Sequence, residues 1–162
     1  MFRGIIDSLI LKELNIELRN IVSMAKSNSS WSNKIPPAIS STSATTDGKG
    51  KYEASIKVDL VAAPMAAAFE FGSGVHRKDN PSKYIIKNRT AGKMLVIPAS
   101  RWPNKKFNDD PVYISSVNHP GVAARPFLQP AINSRSFFLS RALAKAFGVG
   151  ILDVIKTEWN SK

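Results

Sequence analysis

The 162-residue sequence contains no cysteine and only two histidines. Without cysteine the chain cannot form a disulfide or use a thiolate as a nucleophile. His76 and His119 are far apart in the sequence, and neither lies in a pattern of nearby carboxylates, so they make a poor zinc site. The sequence therefore predicts no metal site and no cofactor.

Long apolar runs are also missing. No run approaches the roughly 20 residues that a membrane-spanning helix needs. The N-terminus carries Asp7, Glu13 and Glu17 among its apolar residues, which is unlike a signal peptide. We expect synthesis in the cytoplasm and no membrane contact. The length and a hydrophobic fraction of 43% predict a single domain over residues 1–162.

Acidic residues are scarce and unevenly placed. The chain has 23 Lys and Arg against 12 Asp and Glu, a net charge of +11. Within residues 73–106, Asp79 is the only acid among nine cations, which are Arg77, Lys78, Lys83, Lys87, Arg89, Lys93, Arg101, Lys105 and Lys106. Such a segment can contact phosphates in a salt-dependent way, dock on an acidic protein rim, or keep an assembly subunit soluble.

Patterns typical of catalysis are not found either. The segment Phe69–Gly74 has two glycines, but Val75-His76-Arg77 follows it in place of the Lys-Ser/Thr of a phosphate-binding loop. Glu70 has no second acid, nucleophile or metal ligand at a catalytic spacing. Its predicted role is a fixed salt bridge or a backbone hydrogen bond, and His119 before Pro-Gly is predicted to cap a turn. The sequence predicts that the protein is not an enzyme.

The N-terminal part is predicted to be a helix followed by an arm. In residues 6–26 apolar side chains recur every three or four positions with charged side chains between them, which indicates an amphipathic helix. Asp7 or Ser8 is placed to cap its start. Residues 32–51 are rich in Ser, Thr, Pro and Gly, and they predict an extended or hairpin arm containing a weak strand over 39–45.

The middle of the chain shows strand patterns. Ile56, Val58 and Leu60 alternate with polar residues, which is the period of a strand with one buried face. Two further strands are expected at 93–97 and 112–117, on either side of a polar loop. Together these predict a sheet core.

The expected fold class is α+β. A small antiparallel β-sheet over residues 53–117, which contains the basic loop 73–93, packs against an N-terminal long helix and a C-terminal helix, with extended loops or a hairpin arm. The apolar pattern beyond Pro126 predicts helices over 128–160, and Gly148 and Gly150 are expected to interrupt them.

A stiff segment precedes the C-terminal helix. In His119-Pro120-Gly121 and Arg125-Pro126-Phe127 the prolines fix φ and push the preceding residues toward extended geometry, while Gly121 can supply the positive φ of a tight turn. Phe127 and Leu128 then place two large apolar side chains directly before a helix. The segment therefore predicts a docking function.

Together with Phe69-Glu70-Phe71-Gly72-Ser73-Gly74, these two blocks resemble, in content and in order, the bacteriophage tail-completion and head-to-tail joining (neck) proteins, which are minor tail components. The resemblance spans roughly residues 5–147. It implies a ring subunit, usually in six copies, at the top of the tail or between tail and connector. The implied partners are further copies of the chain and the neighbouring connector and tail-tube proteins, with DNA passing through the channel without sequence-specific contact.

The resemblance also implies roles for particular residues. Matched to the family's motifs, Glu70, Gly72 and Gly74 would hold the base of the loop, and Phe71 is a further interface or structural residue of the same motif. Another set would hold the segment before the last helix: His119, Pro120, Gly121, Pro126 and Phe127. Arg125 is a further interface or structural residue of that motif. The arm and the basic loop would reach toward neighbouring subunits, and the expected location is the virion after assembly in the host cytoplasm.

The alternative hypothesis is a nucleic-acid-binding module that uses the basic segment 77–106, with Trp102 or Tyr84 as stacking groups. A small hydrolase or nuclease would require a clustered carboxylate or metal site, which the sequence does not show.

Overall fold

The structure, a computed structural model, describes residues 2–79, 81–90, 92–98 and 111–160. Its fold is α+β, as predicted, because two long helices pack against each other and short strands pair in antiparallel ladders. The chain divides into two compact units. Unit 1 contains Met1–Glu70 and Pro126–Lys162, and unit 2 contains Phe71–Arg125.

Most of unit 1 is helical. The helices of the described chain are α1 (Phe2–Asn28), α2 (Ile35–Ala38), α3 (Ala66–Phe71) and α4 (Leu128–Asn160). The helix predicted at 6–26 is confirmed, with a start four residues earlier. The predicted cap is wrong, because Asp7 and Ser8 lie inside the first turns of α1, where Ser8 Oγ donates to the carbonyl of Ile5 at 2.8 Å.

The helices α1 and α4 pack in antiparallel orientation. The side chain of Ile6 near the start of α1 contacts the backbone of Gly150 near the end of α4. Further along, Arg135 of α4 donates two hydrogen bonds, of 2.9 and 2.7 Å, to the buried carboxylate of Glu17. A bidentate pair of this kind neutralises a charge that would otherwise be buried alone.

The expected interruption of the C-terminal helix is wrong. The helix α4 continues through Gly148 and Gly150 for 33 residues. An interior glycine costs about 1 kcal/mol relative to alanine, which tertiary packing readily offsets. Gly150 is buried, and a Cβ there would lie 2.8 Å from Ile6 Cγ1, so its missing side chain lets α1 approach closely.

The two glycines of α4 provide a matched pair of variants. Gly148→Ala is expected to raise the free energy of unfolding by about 1 kcal/mol, because no atom lies within 4 Å of the added Cβ. Gly150→Ala gains the same helix propensity but must displace Ile6, so we expect it to be neutral or destabilising. Urea unfolding of both variants measures the difference, and equal gains at the two positions would contradict the close Ile6 contact.

The core of unit 1 joins both long helices to the α2 and α3 segments. Its buried residues are mostly small or branched side chains with one aromatic ring: Ile21, Ala25, Ile35, Ala38, Ile39, Ala63, Ala66, Phe127 and Ala131. Trp31 and Phe69 pack edge-to-face beside this cluster, with ring centroids 4.8 Å apart. The alanines allow the backbones of α1, α3 and α4 to approach each other.

The strands pair two by two. They are β1 (Ile39–Ser41), β2 (Thr45–Thr46), β3 (Tyr52–Glu53), β4 (Ile56–Val58), β5 (Tyr84–Lys87), β6 (Leu95–Ile97), β7 (Val112–Ile114) and β8 (Ser116–His119). The described ladders are β1–β4, β2–β3, β5–β8 and β6–β7, all antiparallel, so the strands expected in one sheet are shared among small ladders.

The predicted arm contains a hairpin that packs on α1. The strands β2 and β3 are joined through Asp47, whose Oδ1 accepts hydrogen bonds from the backbone N–H groups of Lys49 (2.7 Å) and Lys51 (3.1 Å). These bonds lower the pKa of Asp47. In β3, directly after the turn, the Tyr52 hydroxyl donates to Asp7 Oδ1 of α1 at 2.5 Å.

The hydrogen bond between Tyr52 and Asp7 predicts a loss of stability at high pH. This bond, followed by burial, raises the pKa of Tyr52 above its ordinary value of 10.0. A raised tyrosine pKa means that the folded state holds the proton more tightly, so the stabilisation is complete below about pH 10 and is lost as the pH rises through the folded-state pKa. Tyr52→Phe should remove that pH dependence, which denaturant unfolding between about pH 8 and 11 measures.

Candidate functional site

Glu70 caps the N-terminus of α4 from a distance of 57 residues in sequence. Its buried carboxylate accepts hydrogen bonds from the backbone N–H groups of Phe127 (2.8 Å), Leu128 (2.9 Å) and Gln129 (2.7 Å). The first N–H groups of a helix lack partners within the helix, and a negative charge there also interacts favourably with the helix dipole. The backbone hydrogen-bond role predicted for Glu70 is therefore confirmed.

Phe127 fixes the position of the same helix start. Its side chain is only 1% exposed, within the core of unit 1. Its carbonyl accepts a hydrogen bond of 3.0 Å from Asn28 Nδ2 at the end of α1. Pro126 directly before it removes a backbone donor and restricts the entry into α4. The start of α4 is thus held by a buried ring, a carboxylate and an amide.

In unit 2, two backbone segments cross at glycines. The N–H of Val75 donates to the carbonyl of Pro120 at 2.7 Å, and Ser73 exchanges hydrogen bonds with Val122 through its N–H and its hydroxyl, both at 2.9 Å. A Cβ at Gly74 would lie 2.1 Å from the carbonyl oxygen of Pro120. No side chain fits between these backbones.

Gly121, which faces Gly74 on the other segment, lies equally close to the opposite backbone. A Cβ at Gly121 would lie 1.9 Å from the carbonyl oxygen of Ser73, and Gly121 has a φ of 102°. His119 stabilises this turn, since its Nδ1 accepts a hydrogen bond of 2.9 Å from the Gly121 N–H. The imidazole therefore acts as the predicted turn cap, and its Nδ1 carries no proton in this arrangement. Its ring also packs against Tyr84, with centroids 5.2 Å apart.

The residues selected by the sequence motifs thus meet at two joints. The first, in unit 1, joins Glu70 to the start of α4. The second, in unit 2, joins Gly72–Gly74 to the segment 119–122. The side chains of four motif residues, Phe71, Pro120, Arg125 and Pro126, are exposed.

The basic loop begins with a 3₁₀ turn at Gly74–His76. Arg77 then forms a bidentate ion pair with Asp79 at 2.7 and 2.9 Å, and this hydrogen-bonded pair raises the pKa of Arg77. All six cations of the basic loop 73–93, which is expected to reach toward neighbouring subunits, are exposed: Arg77, Lys78, Lys83, Lys87, Arg89 and Lys93. Arg101, Trp102, Lys105 and Lys106 lie outside the described residues.

The basic loop leads into a two-stranded ribbon that the sequence patterns only partly predicted. The ladders β5–β8 and β6–β7 are nested, so the chain runs out along one strand and back along the other. In sequence, seven residues separate β5 from β6, whereas Ser115 alone separates β7 from β8. The prediction missed β5, although Tyr84-Ile85-Ile86 is a run of strongly strand-forming residues.

Other classes of site are not found in the described part of the chain. Within it, no group of three or more His, Cys, Asp or Glu residues is arranged to hold a metal ion. Among the same residues, every buried side-chain nitrogen or oxygen has a hydrogen-bond partner. Of the helices described, none combines the length and the apolar character that crossing a membrane requires.

Comparisons of the chain with protein-family models, with curated proteins and with solved structures found no match. The contacts made by the chain's own residues therefore carry the functional conclusion.

Proposed function

We propose that this protein is a structural virion component of the phage neck or tail top, which assembles as a homo-oligomeric ring, with six copies expected, and joins the completed tail to the head connector. The observation that supports this most is the position of the motif residues. Glu70 pairs with the start of α4, and Gly74 pairs with Gly121, so the blocks that resemble the neck proteins occupy the two joints of the fold.

In this proposal the two joints stabilise the fold of the subunit, and the surfaces around them bind other chains. The α1–α4 pair would form the body of the subunit, while the β2–β3 hairpin and the ribbon of unit 2 would reach neighbouring chains. An isolated two-stranded ladder is only marginally stable in water, so the ribbon benefits from a partner that covers it. The ladder β6–β7 supports this, because Val96 and Tyr113 are exposed on one of its faces.

The exposed apolar side chains also favour assembly. Large hydrophobic residues are more than half exposed in both units, including Val61 and Phe137 in unit 1 and Ile85 and Val96 in unit 2. Apolar patches on a subunit surface mark protein contacts when they are contiguous. The proposed role requires binding to copies of the chain and to connector and tail-tube proteins, without turnover of a substrate.

Electron microscopy of phage lysates tests the proposal. A phage that lacks this gene is expected to produce filled heads separate from tails, or tails of abnormal length. Supplying the wild-type gene from a plasmid should restore joined particles, which controls for effects on neighbouring genes. Normal, infectious, joined particles in the absence of the gene would contradict the proposed function.

A second candidate function is nucleic-acid binding through the basic loop. The exposure of its six described cations, with Asp79 as the only acid among the described residues 71–98, favours this candidate. Binding through phosphate contacts weakens steeply with salt, so affinity for a DNA duplex should fall at least about tenfold between roughly 50 and 200 mM salt.

Charge variants separate this candidate from non-specific attraction. Replacing Lys83, Lys87 and Lys93 by glutamine should reduce the salt dependence of DNA binding, since each lost phosphate contact lowers the slope by about one. A control variant removes the same charge from unit 1 at Lys26 and Lys57, together with Lys12, all of which are exposed. Fluorescence anisotropy measures both variants, and equal losses would show that the basic loop is not a specific contact.

A further inference from the structure

The outer face of α4 is apolar and uncovered among the described residues. The side chains of Phe137, Phe147 and Ile151 are 67%, 49% and 46% exposed. Positions 137, 144 and 151 are seven residues apart, which is nearly two turns, and position 147 lies three residues after 144, so these side chains share one helix face. We call Phe137, Ala144, Phe147 and Ile151 the α4 stripe.

The opposite face of α4 is already occupied. It includes Ala131, Ala146 and Gly150, all of which are buried, and Gly150 lies against Ile6 of α1. Because α1 covers only this face, the α4 stripe remains open to solvent.

The charge around the α4 stripe restricts its partner. Between Leu128 and Leu152 the helix contains no acid, and Arg141 and Lys145 are exposed beside the stripe. Two α4 stripes packed on each other would bring these cations together, and like charges at an interface are unfavourable. The surface that covers the stripe should therefore be apolar and free of basic residues.

A second uncovered apolar surface in unit 1 has that composition. In the turn Asp59–Met65, Val61 is 93% exposed, with Leu60 and Met65 exposed beside it. No Lys or Arg occurs between Lys57 and Arg77, and Asp59 supplies a negative charge. We call Asp59–Met65 the Val61 turn.

The Val61 turn is held rigidly. Asp59 Oδ1 accepts hydrogen bonds from the N–H groups of Val61 (2.8 Å) and Ala62 (3.3 Å), and its carbonyl accepts one from Ala63 at 2.9 Å. Ala63 and Ala66 are buried in the core and anchor the turn from below. A large apolar side chain on an ordered turn loses little conformational freedom on binding, which favours its use as an interface anchor.

The Val61 turn and the part of the α4 stripe around Phe147 are too far apart to meet within one chain. Ala63 and Ala66 belong to the core cluster that contains Ala131, near the start of α4. Phe147 lies 16 residues beyond Ala131, which at 1.5 Å per residue is about 24 Å along the helix. Contact between the surfaces must therefore be intermolecular.

We propose that the Val61 turn of one copy docks on the α4 stripe of a second copy, in a head-to-tail contact. In this contact Val61 packs between Phe147 and Ile151, which are one helical turn apart, and Asp59 approaches the cations at Arg141 and Lys145. The inference rests on the proposed function in one respect, since it assigns the self-contact that a ring requires. Head-to-tail contacts close into rings when the rotation between subunits permits.

Two charge-insertion variants test the contact. Val61→Asp and Phe147→Asp should each weaken self-association of the full chain by about 30-fold or more, as expected for a central apolar anchor. Ser23→Asp is the control, because it adds the same charge at an exposed position of α1, outside both surfaces. Analytical ultracentrifugation measures the assembly state, and circular dichroism confirms that each variant is folded.

Mixing the two variants tests the head-to-tail geometry. Each variant alone should be monomeric, but an equimolar mixture should form a dimer, because one intact turn and one intact stripe remain available to each other. A mixture that stays monomeric would overturn the proposal, as would a wild-type chain that is monomeric at about 200 µM, far above the Kd of a stable interface. Oligomers of wild-type size from either variant alone would also overturn it.

The outcomes separate this contact from the proposed phage function. If wild-type chains form rings and both variants still do, the contact is wrong while the neck role stands. If the variants complement each other but phage without the gene assemble normally, the contact is right and the neck role is wrong.

Discussion

Replacing Glu70 by alanine is expected to lower the free energy of unfolding by about 3–5 kcal/mol. The change removes one carboxylate that accepts hydrogen bonds from three backbone N–H groups at the start of α4. Hydrogen bonds to a charged group contribute about 1.5–3 kcal/mol each, and buried donors left without a partner add a desolvation cost, although water entering the space recovers part of it. Chemical denaturation monitored by circular dichroism measures the loss.

Two further variants separate the loss of the helix cap from the general effect of removing a carboxylate. Glu70→Gln keeps an acceptor oxygen but removes the charge, so we expect roughly half of the loss seen with alanine. Glu53→Ala removes an exposed carboxylate and should change the free energy of unfolding by about 0.5 kcal/mol at most. If Glu70→Ala were as stable as Glu53→Ala, the carboxylate would not be the cap of α4.

Alanine at Gly74 or Gly121 is expected to destabilise unit 2 by about 3 kcal/mol or more. At each position the new Cβ would lie about 2 Å from a backbone carbonyl oxygen of the facing segment, which cannot move aside as a flexible side chain could. Both positions also have positive φ, a conformation that costs an L-residue about 1–2 kcal/mol. Hydrogen exchange of the amides in residues 71–125 measures the effect within unit 2.

Gly92 provides the matched control for the two crossing glycines. It also has a positive φ, of 78°, but no atom lies within 4 Å of an added Cβ. Gly92→Ala should therefore show only the conformational cost of about 1–2 kcal/mol. Equal losses at Gly74, Gly92 and Gly121 would mean that backbone conformation, and not the close crossing, determines the need for glycine.

The long helices could be predicted from the sequence because their signal is local. Apolar residues at spacings of three and four show one buried face wherever the partner lies, and this placed α1 and most of α4 correctly. The continuity of α4 could not be predicted in the same way. Gly150 interrupts the local pattern, but its contact with Ile6, 144 residues away in sequence, gives the glycine its place inside the helix.

In the candidate site, too, contacts between residues distant in sequence could not be predicted. The motifs identified Glu70 and Gly74, and the missing catalytic partners correctly indicated a hydrogen-bonding role for Glu70. Its three acceptor bonds to the start of α4 could not be predicted, because nothing in the sequence near Glu70 specifies a helix start 57 residues later. The pairing of strands could not be predicted for the same reason, since β5 pairs with β8 across about 30 residues.

The antiparallel pairing of α1 and α4 has a consequence for synthesis on the ribosome. The end of α1 is translated about 100 residues before the start of α4, an interval of roughly 5–20 s at ordinary elongation rates. Unit 2, which is one continuous stretch, emerges in full during that interval. During that interval the apolar face of α1 is not covered by α4. A chain that terminates before α4 is complete would therefore expose that face to chaperones and proteases.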